Sequence, residues 1–176
     1  INPRLFPEQI IYIVNHAADR FIFVDLTFVP LLEAVASHIN KVEGIVVLTD
    51  KAHMPTSSKL TNLICYEDLI ADMSPEFTWP LLDENCDAAL CYTSGTTGNP
   101  KGVMYTHRST VLHTIASVQN NALNITNDTV LLPVVPMFHV NAWGTPYAAT
   151  MTGAKIVFPA HGMDGASLYE LINGEQ

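Results

Sequence analysis

Apolar positions along the first fifty residues switch between two periods. Ile10, Ile11, Val14, Ala17 and Ala18 recur at helical spacing behind Pro7, which suits a first helical turn. Phe21-Ile22-Phe23-Val24 follows as a short unbroken apolar run ending at Asp25, the pattern of a strand buried on both faces. Pro30 then opens a second helical pattern, with Leu31, Leu32, Val35, Ala36 and Ile39 inward, and Gly44 to Leu48 repeats the buried-strand run. Helix and strand in alternation predict an α/β fold, with parallel or mixed sheets under helical cover.

Residues 51–86 break this rhythm. They are polar, hold Pro55, Pro75 and Pro80, and offer only a helical turn or two near Glu67 to Met73, so they read as an irregular surface excursion. Sheet patterning resumes at Ala88 to Thr93 and Gly102 to Tyr105. Thr106 can cap a helix whose apolar face is Val111, Leu112, Ile115, Ala116, Gln119, Ala122 and Leu123. Strands are predicted at Thr129 to Leu132 and Lys155 to Phe158, with a helix between them around Val140 to Met151. Asp164 is placed to cap a last helix, entered through Met163-Asp164-Gly165, with Leu168, Leu171 and Ile172 inward. The organisation is thus 1–50, an αβ subregion; 51–86, the excursion; and 87–176, a second subregion that holds the candidate chemistry.

Composition narrows the function. Eight cationic residues against seventeen acidic ones give a formal net charge of −9. Coating of nucleic acid or of an anionic membrane asks for the opposite sign. A small anion remains possible, since it needs only one or two placed cations. Cys65, Cys86 and Cys91 form no paired motif and read as reduced, buried thiols, and the seven histidines lack zinc-site spacing. The apolar run from Val130 to Val140 is broken by Pro133 and Pro136 and falls short of the roughly 18 residues a transmembrane helix needs. With no secretory leader at Ile1, the expected compartment is the cytoplasm. Both ends read as cut, with sequence expected on either side.

The informative segment is Tyr92-Thr93-Ser94-Gly95-Thr96-Thr97-Gly98-Asn99-Pro100-Lys101-Gly102-Val103. Gly95 and Gly98 permit turns that aim successive N–H groups into one concavity, a nest for anionic oxygens. The hydroxyls of Thr93, Ser94, Thr96 and Thr97 add donors, and one can ligate Mg²⁺. Lys101 brings positive charge. The spacing departs from both the P-loop and the dinucleotide GxGxxG pattern, and an apolar strand, not a helix, follows the lysine. A second candidate is Val135-Pro136-Met137-Phe138-His139-Val140-Asn141-Ala142-Trp143-Gly144. Its aromatic, imidazole and indole groups crowd the start of a predicted helix, so His139 and Trp143, four apart, share one helical face. The residues alone fit either a packed core helix or a ligand-lining one. His107 and Arg108 read as an exposed first helical turn.

The string from Tyr92 to Val103 resembles, without departures, the phosphate-binding signature of the adenylate-forming superfamily. Acyl-CoA synthetases, peptide-synthetase adenylation domains and luciferases belong to it. Val103-Met104-Tyr105-Thr106-His107-Arg108 resembles the segment that follows there, and Asn2-Pro3-Arg4-Leu5 and Asn15-His16-Ala17 resemble medium- and long-chain fatty acyl-CoA ligases. The resemblance implies a fragment of the large N-terminal domain of such an enzyme, without the C-terminal domain. It implies ATP and Mg²⁺ as cofactors, coenzyme A as co-substrate and a carboxylic acid as substrate. The loop of Thr93, Ser94, Gly95, Thr96, Thr97, Gly98 and Lys101 would hold the phosphates, with Thr93 on the metal. His139, Asn141, Ala142 and Trp143 would line the acid's pocket, the histidine beside the carboxylate and the tryptophan at the acyl channel. A homodimer is a further expectation. The Tyr-Gly-x-Thr-Glu motif that completes the family's metal site does not occur in these residues, so the fragment is expected to be inactive alone. Transfer to a carrier protein, and a nucleotide-binding module without catalysis, stand as alternatives.

Overall fold

The computed structural model describes residues 1–93, 98–159 and 162–175. They divide into two units: residues 1–81 with the described part of 94–101, and residues 82–93 with the described part of 102–176.

The first unit is built on a three-stranded parallel sheet of β1 (Phe21–Val24), β2 (Gly44–Val47) and β3 (Leu63–Cys65), with β2 central. Phe21 lies beside Gly44 and Val24 beside Val47, while Val47 lies beside Cys65 on the other edge. Helix α1 (Pro7–Ala17) precedes β1 and α2 (Val29–Val35) links β1 to β2; both pack on the sheet, and a 3-10 turn at Ala36–His38 continues α2. At the start of α1, Gln9 Oε1 accepts a hydrogen bond from the Phe6 N–H at 3.3 Å. The helix ends at Ala18, whose φ of 55° is left-handed. Ala18 is therefore exposed and Ile13 is buried in its place, a one-residue correction to the expected apolar face. Ile10, Val14, Leu32, Val35, Ile39, Ile45 and Val47 form one aliphatic core.

Two expectations about this sheet change. All of β2 is buried, but β1 is not buried on both faces: Phe21 is 47% and Phe23 58% exposed. Because β1 is an edge strand, alternation sends Ile22 and Val24 into the helix-covered core and the two phenylalanines to the opposite face. Phe21 and Ile64 close over Gly44 there, and a Cβ on Gly44 would lie 3.0 Å from the Phe21 Cδ1 and 2.9 Å from the Ile64 Cδ1. The stretch 51–86 is not wholly an excursion either. It supplies β3, the buried Leu60 and the short helix α3 (Tyr66–Ile70). Three residues of strand carry too little periodicity to stand out, and pairing with β2 makes the strand.

In the second unit, β4 (Asp87–Thr93) pairs with β5 (Lys101–Thr106), and β6 (Val130–Leu131) pairs in parallel with β7 (Lys155–Ile156). Helix α4 (His107–Ser117) starts from Thr106, whose Oγ1 accepts from the Ser109 N–H at 3.1 Å. Its expected apolar face is not its packed face. Val111, Leu112 and Ile115 are about half exposed (49, 52 and 45%), whereas Thr114 and Ser117 are buried. The reason is the neighbour: α4 packs on α6 (Thr145–Thr152), where Ala148 and Ala149 are buried and only small side chains permit the approach. The buried hydroxyls are satisfied along the helix, with Thr114 Oγ1 donating to the Thr110 carbonyl at 2.7 Å and Ser117 Oγ to the Thr114 carbonyl at 2.8 Å. The helix stops at Ser117, so Gln119, Ala122 and Leu123 lie beyond it.

Helix α7 (Gly165–Gly174) is capped as expected: Asp164 Oδ1 accepts from the Ala166 and Ser167 N–H groups, both at 3.0 Å. The Ser167 hydroxyl, then these backbone bonds, hold the Asp164 carboxyl below its ordinary range. Leu168 and Leu171 are half-buried, but Ile172 is 55% exposed and not inward. The three cysteines are free thiols. Cys65 is buried, Cys91 is half-buried and Cys86 is exposed, against the expectation of three buried thiols. No helix of the described residues is long and apolar enough to cross a membrane.

Candidate nucleotide and acid site

The candidate phosphate loop leaves β4 after Thr93 and re-enters as β5 at Lys101. Ser94, Gly95, Thr96 and Thr97 lie outside the described residues. Gly98 has φ +116°, and nothing lies within 4 Å of a Cβ placed on it, so glycine is required there by conformation and not by crowding. Pro100 is buried, while Thr93 and Lys101 are exposed. A strand does follow the lysine, and the next helix starts only at His107. A helix N-terminus is therefore not what this loop offers an anion. Among the described residues no three His, Cys, Asp or Glu side chains gather as metal ligands.

Arg108 is engaged elsewhere. Its Nη1 meets Glu84 Oε1 at 2.6 Å and its backbone N–H donates to the Glu84 carbonyl at 2.7 Å. The neighbouring His107 N–H donates to the Cys86 carbonyl at 3.1 Å. These bonds tie the start of α4 to the segment leading into β4.

The second constellation has a geometry the sequence does not announce. The stretch around Val140 to Met151 is not one helix. Thr145–Thr152 is α6, but α5 (Val140–Trp143) is a single left-handed turn, with φ of 48°, 51°, 51° and 57° at Val140, Asn141, Ala142 and Trp143. Gly144 follows at φ 72°. His139 precedes the turn in an extended conformation, φ −106° and ψ 103°. His139 and Trp143 therefore do not share a right-handed helical face. The left-handed form costs an L-residue about 1–2 kcal/mol, and four in succession need support.

That support comes from hydrogen bonds and burial. The Ala142 N–H donates to the His139 carbonyl and the Gly144 N–H to the Asn141 carbonyl, both at 3.0 Å. Thr145 Oγ1 donates to the Ala142 carbonyl at 2.8 Å, and Ala142 is 1% exposed. From β4, Cys91 Sγ donates to Asn141 Oδ1 at 3.5 Å. From α4, the His113 ring covers Gly144, and its Nδ1 lies 3.0 Å from where a Cβ would stand. With the small side chain buried, His139 and Trp143 stay exposed, Trp143 at 56%. The turn thus presents an imidazole and an indole from a fixed backbone, and the half-buried Asn141 is anchored. Cys91 and Thr93 are two apart on β4, so they share a face of that strand, the one that meets Asn141.

Sequence reasoning named His139, Asn141, Ala142 and Trp143 but missed His113 and missed Cys91 as a contact. No periodic signal points to His113. Asn141 and Gly144 are the residue types that best tolerate positive φ, and they were the available hint at the turn.

Comparison with known proteins bears on this geometry. The chain is 51% identical over 175 residues to a medium-chain-fatty-acid–CoA ligase of Ectopseudomonas oleovorans, covering 99% of this chain and 32% of that protein. It is 49% identical over 173 residues to a 3-methylmercaptopropionyl-CoA ligase of Ruegeria pomeroyi, covering 98% and 32%. The chain spans about a third of the length of these relatives. Its fold matches a crystal structure of an anthranilate CoA ligase in complex with anthranoyl-AMP with a TM-score of 0.82, at 23% identity, over 99% of this chain and 33% of that one. The AMP-binding enzyme family model matches residues 1–176 from end to end, and the chain belongs to that family.

Proposed function

We propose that this chain is part of the large domain of an ATP-dependent ligase that activates an aliphatic carboxylic acid and passes it to coenzyme A. The observation that carries the reading is the string from Thr93 to Lys101, hung between β4 and β5 in a chain of the AMP-binding family. Two relatives at about half identity are CoA ligases by name, one for medium-chain fatty acids and one for a short thioether acid, which favours an apolar acyl chain.

In the first half-reaction the acid's carboxylate oxygen attacks the α-phosphorus of ATP. The bond to the β-phosphate oxygen breaks, and acyl-adenylate and pyrophosphate form. Thr93, Ser94, Thr96 and Thr97, the N–H groups freed by Gly95 and Gly98, and Lys101 would grip the β- and γ-phosphates and neutralise charge on the departing pyrophosphate. The Thr93 hydroxyl would also reach the Mg²⁺ that accompanies the nucleotide. His139 would donate to the acid's carboxylate, and Trp143, beside the small Ala142, would wall its apolar chain, with Asn141 fixing the turn. In the second half-reaction the coenzyme A thiol attacks the acyl carbon and AMP leaves.

Residues 1–176 would act within one large domain of a longer, homodimeric, cytoplasmic enzyme and form no acyl-adenylate alone. The test is acid-dependent ATP–pyrophosphate exchange by the complete polypeptide, across straight-chain acids of graded length. Exchange confined to one length class is expected. ATP binding without exchange for any acid would leave a nucleotide-binding module instead.

A further inference from the structure

The most strained segment of the described chain is also a segment the proposed reading puts against the acid, and its supports are unassigned. Four non-glycine residues in a row, Val140 to Trp143, have positive φ. Only Asn141 is of a type that visits this region readily. Its side chain is the one anchored from outside the turn, by Cys91 Sγ at 3.5 Å. The downstream end is fixed separately: Gly144 lies under the His113 ring, and the Thr145 hydroxyl binds the Ala142 carbonyl. At the upstream end the His139 N–H donates to the Pro136 carbonyl at 2.9 Å. Cys91 thus reaches the turn at Asn141, two residues from His139 along the chain.

Resting on the ligase reading, we propose that Cys91 is a positioning residue for the acid. Its thiol holds the Asn141 side chain and so favours the left-handed turn that presents His139 and Trp143. It touches neither substrate nor nucleotide. A sulfhydryl is a weak donor, so the contact biases the turn without defining it. Its loss lets the turn sample other conformations, and the acid pays for restoring it on binding. The acid's KM should respond, while ATP, held by the loop beyond Thr93, should not.

The test compares the complete enzyme with its Cys91→Ala and Cys91→Ser variants in ATP–pyrophosphate exchange, with KM measured for the preferred acid and for ATP. Cys91→Ala should raise the acid KM about fivefold, the equivalent of roughly 1 kcal/mol. Its ATP KM should be unchanged, and Cys91→Ser, which keeps a donor, should recover most of the loss. An unchanged acid KM in Cys91→Ala overturns the proposal. So does a serine variant as weak as the alanine one, or an equal rise in both KM values, which would mark a merely structural thiol. A wild-type enzyme that exchanges with no acid overturns the ligase reading itself, and this proposal with it.

Discussion

Two short segments show how differently the two units are built. From Gly44 to Val47 every residue is buried, the strand is paired on both sides and the backbone is ordinary. From Val140 to Gly144 only Ala142 and Gly144 are buried, no strand pairs with the segment, and every φ is positive. The first segment is held by the hydrophobic effect acting on aliphatic side chains. The second is held by a few directed bonds and by the absence of side chains at the places of closest approach. A core of the first kind tolerates exposure of its edge, as at Phe21 and Phe23. A turn of the second kind depends on each contact, and such strain is commonly found where side chains must be presented to a ligand.

The contrast makes graded predictions. Ile45→Ala removes a side chain only 2% exposed from the centre of the first sheet and should cost about 2–5 kcal/mol in urea unfolding. A cost below about 1 kcal/mol would mean that the first unit is no firmer than the second. Gly144→Ala should cost less, about 1–2 kcal/mol from its φ of +72°, plus whatever is needed to displace the His113 ring. Pairing it with His113→Ala should relieve the crowding but not the dihedral strain, so partial recovery of the unfolding midpoint is expected. Thr106→Ala, which removes the α4 cap, should lower stability by about 1 kcal/mol in thermal unfolding.

The smallest effect belongs to Asp19 in the first unit, whose carboxyl is pushed up mainly by burial. A raised folded-state pKa means that this group's contribution is fully present below the ordinary carboxylate range and is lost as pH rises through the folded value. Asp19→Asn should therefore raise the melting temperature slightly at pH 7. The gain should shrink as pH falls into the carboxylate range, and a gain independent of pH would count against burial as the cause.

The sequence made the first unit legible because helix and strand periods alternate there and prolines mark the starts of α1 and α2. β3 escaped because three residues, Leu63 to Cys65, carry no period of their own. In the second unit, strand and cap positions were readable at Thr106 and Asp164, where a polar side chain meets free N–H groups. The packed face of α4 was not, because apolar periodicity points to Val111, Leu112 and Ile115, whereas the neighbouring Ala148 and Ala149 admit Thr114 and Ser117. The loop's residue types pointed to the phosphate site proposed above. The left-handed turn was hard to read because, in the run Val-Asn-Ala-Trp, only Asn141 is of a type that visits positive φ readily. Its supports from outside, the Cys91 thiol on Asn141 and the His113 ring over Gly144, carry no signal in the sequence.

The measurement closest to the central claim is ATP–pyrophosphate exchange by the complete enzyme and its Lys101→Ala variant, at saturating acid. If the loop between β4 and β5 grips the departing pyrophosphate, exchange should fall on the order of a hundredfold while the unfolding midpoint stays put. Exchange that survives the loss of Lys101 undiminished would contradict the assignment of this loop to the phosphates.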